Sequence, residues 1–225
     1  MSIAVTESWD VEYATGTRYT PDKPPVGFVA DILAVAKEHG IERGLYVGAG
    51  NGRNFIPMSD AGLELTGLDI STVAIDQLKE RAPRYADRLV VGDLSALPDD
   101  VRFPLVAALQ VVQHGDRQQV RTLLAQCLER VEDGGVFAIR VNGSGTDVRH
   151  NHDVVEHGES GSFAVRYTAG PKEGLTVFFW AAIELDQAIR AAGFAPILWL
   201  RPQSTWRDPA ELGQWLQWEG IYCKA

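Results

Sequence analysis

Between Arg43 and Val141 the chain alternates short apolar runs with segments whose apolar residues recur every three or four positions. That rhythm restricts the fold more than any other feature, because strands alternating with amphipathic helices imply a parallel sheet covered by helices. Runs at 43–47, 63–68, 88–91, 103–109 and 136–141 read as strands. Phe103 to Leu109 is nearly all apolar, as a strand covered on both faces must be. The helices between them carry their own punctuation. Phe28, Val29, Ile32, Leu33 and Ala36 form one stripe, closed by Gly40. Ser71 caps a helix to about Arg81, with Ala74, Ile75, Leu78 and Ala82 inward. Asp116 and Gln119 form a capping box for the next, whose inner face is Val120, Leu123, Leu124, Cys127, Leu128 and Val131 and which Gly134-Gly135 stops. Asn51 reads as the start of the helix after the first strand.

After Asn142 the rhythm breaks. Residues 143–176 are Gly-rich and polar, with three of the five histidines and one candidate strand, Phe163 to Tyr167. A long irregular stretch in a compact domain is usually a lid or binding loop, so 143–176 is expected to be an insertion over an active site. A helix from about Ile183 to Ala192 and strands at 196–200 and 215–223 complete the chain. Residues 1–25 carry Trp9, Tyr13 and Tyr19 and end in Pro21, Pro24 and Pro25; they are read as an N-terminal segment on the substrate side. The whole of 1–225 is expected to be one domain.

Net charge and cysteine usage narrow the partners. The formal charge is −9, with no run of Lys or Arg, which counts against nucleic acid as partner. No apolar run is long enough to span a membrane, and the N-terminus lacks the pattern of a signal peptide. Cys127 and Cys223, far apart and without spacing pattern, read as reduced thiols suited to the cytoplasm, although spacing alone leaves a disulfide between them open.

The chemistry is concentrated at Gly48-Ala49-Gly50-Asn51-Gly52, between the first strand and the next helix. Glycines there bring backbone N–H groups close to a ligand, and the following helix offers its positive end. Asp69 ends the second strand, 17 residues after Gly52, where a carboxylate accepts from both ribose hydroxyls of a nucleotide. The dinucleotide fingerprint would place its third glycine at Arg53, but here it falls one residue early; no G-K-[ST] follows, so a phosphate-binding P-loop is excluded.

That G-x-G-x-G spacing resembles the class I S-adenosylmethionine-dependent methyltransferases. Val91-Gly92-Asp93-Leu94, the stretch Ala107 to His114, Glu184 to Phe194 and Trp218 to Tyr222 resemble further landmarks of that superfamily. Gly50-Asn51-Gly52-Arg53-Asn54 is similar to its tellurite-resistance and thiopurine methyltransferase branch. The resemblance implies a Rossmann-like, mostly parallel seven-stranded sheet, order 3-2-1-4-5-7-6 with strand 7 antiparallel and helices on both faces. It implies S-adenosylmethionine as cofactor, with Gly48, Ala49, Gly50, Asn51 and Gly52 around its methionine part, Asp69 and Ile70 at the ribose, Asp93 and Leu94 at the adenine, and Gln110 and Val111 on the pocket floor. The superfamily usually has an acid two residues before the first glycine; Tyr46 stands there, and its hydroxyl or another side chain is expected to substitute.

The implied activity is methyl transfer to a small molecule, its acceptor atom (N, O or S) and the oligomeric state left open. The alternatives are another reaction of the same cofactor, cyclisation or aminopropyl transfer, and a non-catalytic cofactor-binding regulator. His114, at the carboxyl end of the fourth strand, is the first candidate for a general base, with His150, His152 and Tyr19 behind it. His150, His152 and His157 with Asp153 and Glu156 also raise a metal site, weighed below an exposed loop for want of an element to set its geometry. No metal is expected. Trp180, Trp199, Trp206, Trp215 and Trp218 are read as packing residues.

Overall fold

The computed structural model describes residues 3–15, 23–158, 160–170 and 172–225. Two compact units result, residues 1–107 with 130–132 and residues 108–129 with 133–225.

In the first unit, α1 (Ile3–Ala14) and α2 (Phe28–Glu38) precede β1 (Arg43–Val47), α3 (Phe55–Asp60), β2 (Glu64–Asp69), α4 (Thr72–Arg81), β3 (Leu89–Val91) and most of β4 (Phe103–Leu109). β1 pairs parallel with β2, Val47 opposite Leu68, and β2 pairs parallel with β3, Asp69 opposite Val91. The α2 stripe buries Phe28, Val29, Ile32 and Ala36. Full burial of an aliphatic or aromatic side chain contributes about 1.5–3 kcal/mol, so one such stripe outweighs any weakness in helix propensity. Ser71 caps α4 as expected, its hydroxyl accepting from the Ala74 N–H at 3.1 Å. Helix α3 starts later than expected, at Phe55 rather than Asn51. Gly52 has φ +92, a conformation no α-helix admits, so 49–54 turns before the helix begins.

The second unit holds the end of β4, α5 (Arg117–Glu129), β5 (Val131–Asn142), β6 (His152–His157), β7 (Phe163–Tyr167), β8 (Thr176–Phe179), α6 (Ala182–Ala191), β9 (Phe194–Trp206) and β10 (Gln214–Lys224). The capping box of α5 is reciprocal: Gln119 N–H donates to Asp116 Oδ1 and Asp116 N–H to Gln119 Oε1, both at 2.9 Å. The helix ends at Glu129, ahead of the expected Gly134-Gly135 stop, because Val131 already begins the next strand. β10 runs antiparallel to both β5 and β9.

Two corrections concern the sheet. The main sheet has the order β3-β2-β1-β4-β5-β10-β9, not the numbering 3-2-1-4-5-7-6 expected from sequence. The labels part because the stretch from 143 on, expected to be irregular apart from Phe163 to Tyr167, forms with Thr176–Phe179 a three-stranded sheet of its own, ordered β6-β7-β8. Val165, Tyr167, Val177 and Phe179 give that sheet a small core, with Val148 and Phe163 packed against it. Its alternation was hard to see because β6 carries an irregularity between Val154 and Glu156 and exposes both valines. The tryptophans also divide. Trp180 is fully buried, whereas Trp199 and Trp206 are 61% and 65% exposed and do not pack as expected. No described helix is long and apolar enough to cross a membrane.

Candidate active site

In the first unit the chain leaves β1 through a loop built on glycine. Gly48, Gly50 and Gly52 have φ of +73, +54 and +92, which residues with a Cβ rarely adopt. The N–H groups of Gly48 and Ala49 both donate to the Leu68 carbonyl, at 2.7 and 2.9 Å, fastening the loop to the end of β2. Asn51 is buried, and its carbonyl accepts from Arg81 of α4.

Asp69 is the centre of this arrangement. Its Oδ2 accepts from Gly50 N–H at 2.7 Å and its Oδ1 from Ser71 N–H at 2.9 Å, so one carboxylate joins the glycine loop to the start of α4. Burial raises its pKa above the usual 3.8, the Ser71, Gly50 and Ile70 N–H groups oppose that rise, and the Asp10 charge adds to it. Asp69 carbonyl accepts from Gly92 N–H at 2.7 Å, which brings Asp93 to the same end of the sheet. Asp93 Oδ1 accepts from the hydroxyl and N–H of Ser95, at 2.6 and 3.0 Å. Those bonds, the hydroxyl first, hold its carboxyl below the ordinary value. Ile70 is half-buried and Leu94 buried beside the two acids. Tyr46 is 1% exposed, and its hydroxyl accepts from Asn54 Nδ2 at 3.1 Å while Asn54 Oδ1 accepts from Val26 N–H. That hydroxyl therefore braces the turn.

Sequence reasoning overlooked Asp10, and took Tyr13 only as a core or wall residue. Asp10 Oδ1 accepts from the Ser71 hydroxyl at 2.6 Å and from Val73 N–H at 3.3 Å, so α1 places an acid at the positive end of α4. A Cβ on Gly50 would meet the Tyr13 hydroxyl at 2.5 Å, so that ring packs against the glycine itself. No local signal marks a contact between residues 61 positions apart.

In the second unit the segment after β4 is strained and heavily tied. Gln110 has φ +63, the single left-handed residue other than glycine among those described. Its N–H donates to the Arg140 carbonyl at 2.6 Å, and its carbonyl lies 3.0 Å from His114 Nε2. A carbonyl only accepts, so Nε2 carries the proton there and a neutral imidazole keeps its lone pair on Nδ1. Val111 is half-buried; Gln113 is buried, and its Oε1 accepts from Asn142 N–H at 2.8 Å. Gly115 N–H donates to Thr176 and Phe178 N–H to Gln113, both at 2.9 Å, which anchors the small sheet beside His114. Glu156 of β6 adds a second tie, accepting from Arg117 N–H and pairing with the Arg117 side chain, both at 3.1 Å.

His150 and His152 lie apart from His114. His150 and His152 flank Tyr167, at ring-centre distances of 6.2 and 6.4 Å, toward the opposite end of β7. Tyr19 lies outside the described residues. Among the described residues no group of three or more His, Cys, Asp or Glu is placed to hold a metal.

A glycine loop after β1 with acids at the ends of β2 and β3 is an arrangement suited to a nucleotide-type cofactor. Residues 45–135 match the family model described as a methyltransferase domain. That stretch spans the glycine loop, Asp69 and Asp93, so the part of the chain that carries the candidate site is similar to methyltransferase domains. Among solved structures, the fold is similar to the CcbJ methyltransferase from Streptomyces caelestis (TM-score 0.66, 19% identity, 98% of this chain and 99% of that one). It is also similar to the Burkholderia thailandensis 1,6-didemethyltoxoflavin-N1-methyltransferase with bound 1,6-didemethyltoxoflavin and S-adenosylhomocysteine (0.64, 19%, 99% and 88%). TehB from Haemophilus influenzae matches at 0.61 and 14%, over 96% of this chain and 67% of that one. No curated protein matches the sequence.

The acceptor at the end of β2 fits a ribose: Asp69 is a desolvated carboxylate fixed in place by backbone donors, with lone pairs left over for a hydroxyl.

Proposed function

We propose that the protein transfers the methyl group of S-adenosylmethionine to a small-molecule nucleophile. The observation that carries this reading is the Asp69 carboxylate, buried at the end of β2 and fixed by N–H groups from the glycine loop and the α4 cap. Gly48, Ala49, Gly50, Asn51 and Gly52 hold the methionine part by backbone contacts. Asp69, with Ile70, accepts from the ribose hydroxyls. Asp93 receives the adenine amino group, and Leu94 packs on the ring. Gln110 and Val111 contribute at the carboxyl end of β4. Tyr46 acts indirectly, by fixing Asn54 and so the loop. The bound cofactor supplies an activated methyl carbon on a sulfonium.

What remains for the protein is to hold the acceptor about 3 Å from that carbon in line with the departing sulfur, and to exclude water. His114 is the base, taking the acceptor's proton on Nδ1 while Gln110 carbonyl holds its Nε2–H. His150, His152 and Tyr19 stand behind it as acceptor contacts. We read 1–225 as one functional domain, with 1–25 on the acceptor side and 143–176 as its lid. The small-molecule acceptor is supported by the 1,6-didemethyltoxoflavin bound in the Burkholderia thailandensis neighbour.

Calorimetric titration with S-adenosylmethionine and separately with NAD tests the cofactor assignment. Micromolar binding of the first and none of the second is expected; NAD binding alone would sink it. Release of S-adenosylhomocysteine in an acceptor screen then marks methyl transfer, whereas methylthioadenosine would mark attack on another carbon of the sulfonium.

A further inference from the structure

β5, β9 and β10 share an unusual face. Gln217 lies opposite Asn142 and Gln203, and Glu219 lies opposite Arg140 and Arg201, so these six side chains fall on one side of the sheet in two rows. The lower row is a satisfied ionic cluster. Glu219, 2% exposed, takes Arg140 Nε at 2.8 Å on one oxygen and Arg201 Nη2 at 3.2 Å on the other.

The upper row is incomplete. Asn142 accepts from Trp215 Nε1 at 2.9 Å through its Oδ1, and Gln113 braces its backbone. Gln217 is 2% exposed, yet its Nε2 has no hydrogen-bond partner among the described residues. Leaving a buried amide donor unmade is costly, and natural structures rarely tolerate it without a functional reason. The row lies at the carboxyl end of β5, where open α/β sheets bind ligands. Toward solvent it opens at Gln203 and Thr205, both exposed.

We infer that Gln217 is a substrate-binding residue whose Nε2–H donates to a carbonyl-type oxygen of the methyl acceptor, in an amide, a lactam or a carboxylate. The inference rests on the methyl-transfer reading above and adds the acceptor's chemical class to it. The neighbouring charges agree. Two guanidiniums and one carboxylate leave the lower row net positive, which suits a neutral or singly anionic acceptor and repels a cationic one.

The test has an arm that needs no substrate. In the ligand-free protein, Gln217→Met removes an unsatisfied donor at similar volume, so Tm rises by about 2–4 °C. A donor with a structural partner would give a fall instead, and that result overturns the inference; Gln217→Leu repeats the measurement in a second shape. In the second arm, wild-type protein saturated with S-adenosylhomocysteine is titrated with picolinamide, 2-pyridone and benzoate, each beside a carbonyl-free counterpart (2-methylpyridine, pyridine, toluene). At least one carbonyl probe binds more tightly than its counterpart, and Gln217→Met weakens it about tenfold or more. Equal binding of each pair, no binding by any carbonyl probe, or unchanged affinity in the variant overturns the inference. Failure of S-adenosylhomocysteine itself to bind would overturn the cofactor reading instead, and the thermal arm would still decide the role of Gln217.

Discussion

At the scale of single residues, Asp69 shows how a fold prepares a charge for use. Its neighbours are backbone N–H groups, which favour the carboxylate, while burial and Asp10 disfavour it, and burial prevails. Hydrogen bonds to a charged group are worth about 1.5–3 kcal/mol, so Asp69→Ala is expected to weaken S-adenosylhomocysteine binding about 10–100-fold by calorimetry. An unchanged affinity would remove the ribose assignment. The pH dependence follows from the raised pKa. The folded protein holds this proton more tightly than the unfolded chain, so through this residue acidification stabilises the fold, from above the folded pKa down to below 3.8. Cofactor affinity moves the other way, since a protonated carboxyl loses acceptor capacity. Affinity should therefore begin to fall at a pH above 3.8, and Asp69→Asn should lose that acid limb; a wild-type profile flat down to pH 4 would contradict both statements.

At the scale of elements, what could be read in advance was what neighbouring residues decide among themselves. Ser71 and the Asp116/Gln119 pair cap their helices because the bonds span three positions, and a pattern of that length is visible in one dimension. The glycine loop and Asp69 were legible for the same reason, each ending a recognisable strand. Asp10 was not, nor was the unsatisfied amide of Gln217, since both depend on which strand or helix arrives from far away. Of the small sheet only β7 was legible; β6 was missed because it exposes both faces and its pairing slips, which removes the two-residue period that announces a strand. Each kind of bond has its own consequence. Asp116→Ala should lower stability by about 1 kcal/mol, or Tm by about 2–4 °C, through loss of the α5 cap alone. Asp10→Ala should instead leave Tm nearly unchanged and speed amide hydrogen exchange across 3–14, because Tyr13 alone is buried among the described side chains of that helix. Unchanged exchange there would mean that Tyr13 and the Gln77–Tyr13 bond hold α1 without Asp10.

At the scale of the whole molecule, the two thiols offer a direct measure of how far the fold opens. Both cysteines are free, but their settings differ. Cys127 lies on the inner face of α5 at 0% exposure, and burial alone pushes its thiol up to about 12. Cys223 sits near the chain end on β10, half-buried, its Sγ 3.6 Å from the Gly134 carbonyl. Alkylation needs the thiolate and a path to it, and Cys127 has neither until α5 leaves its packing. Iodoacetamide at neutral pH should therefore modify Cys223 within minutes to hours, and Cys127 only through opening of the core that α5 covers. Its rate should then follow the stability of that core: Asp116→Ala, about 1 kcal/mol less stable, should speed Cys127 modification about fivefold and leave Cys223 unaffected. Intact mass with peptide mapping reads both sites in one experiment. If Cys127 reacted as fast as Cys223, the core under α5 would be opening far more readily than its full burial implies.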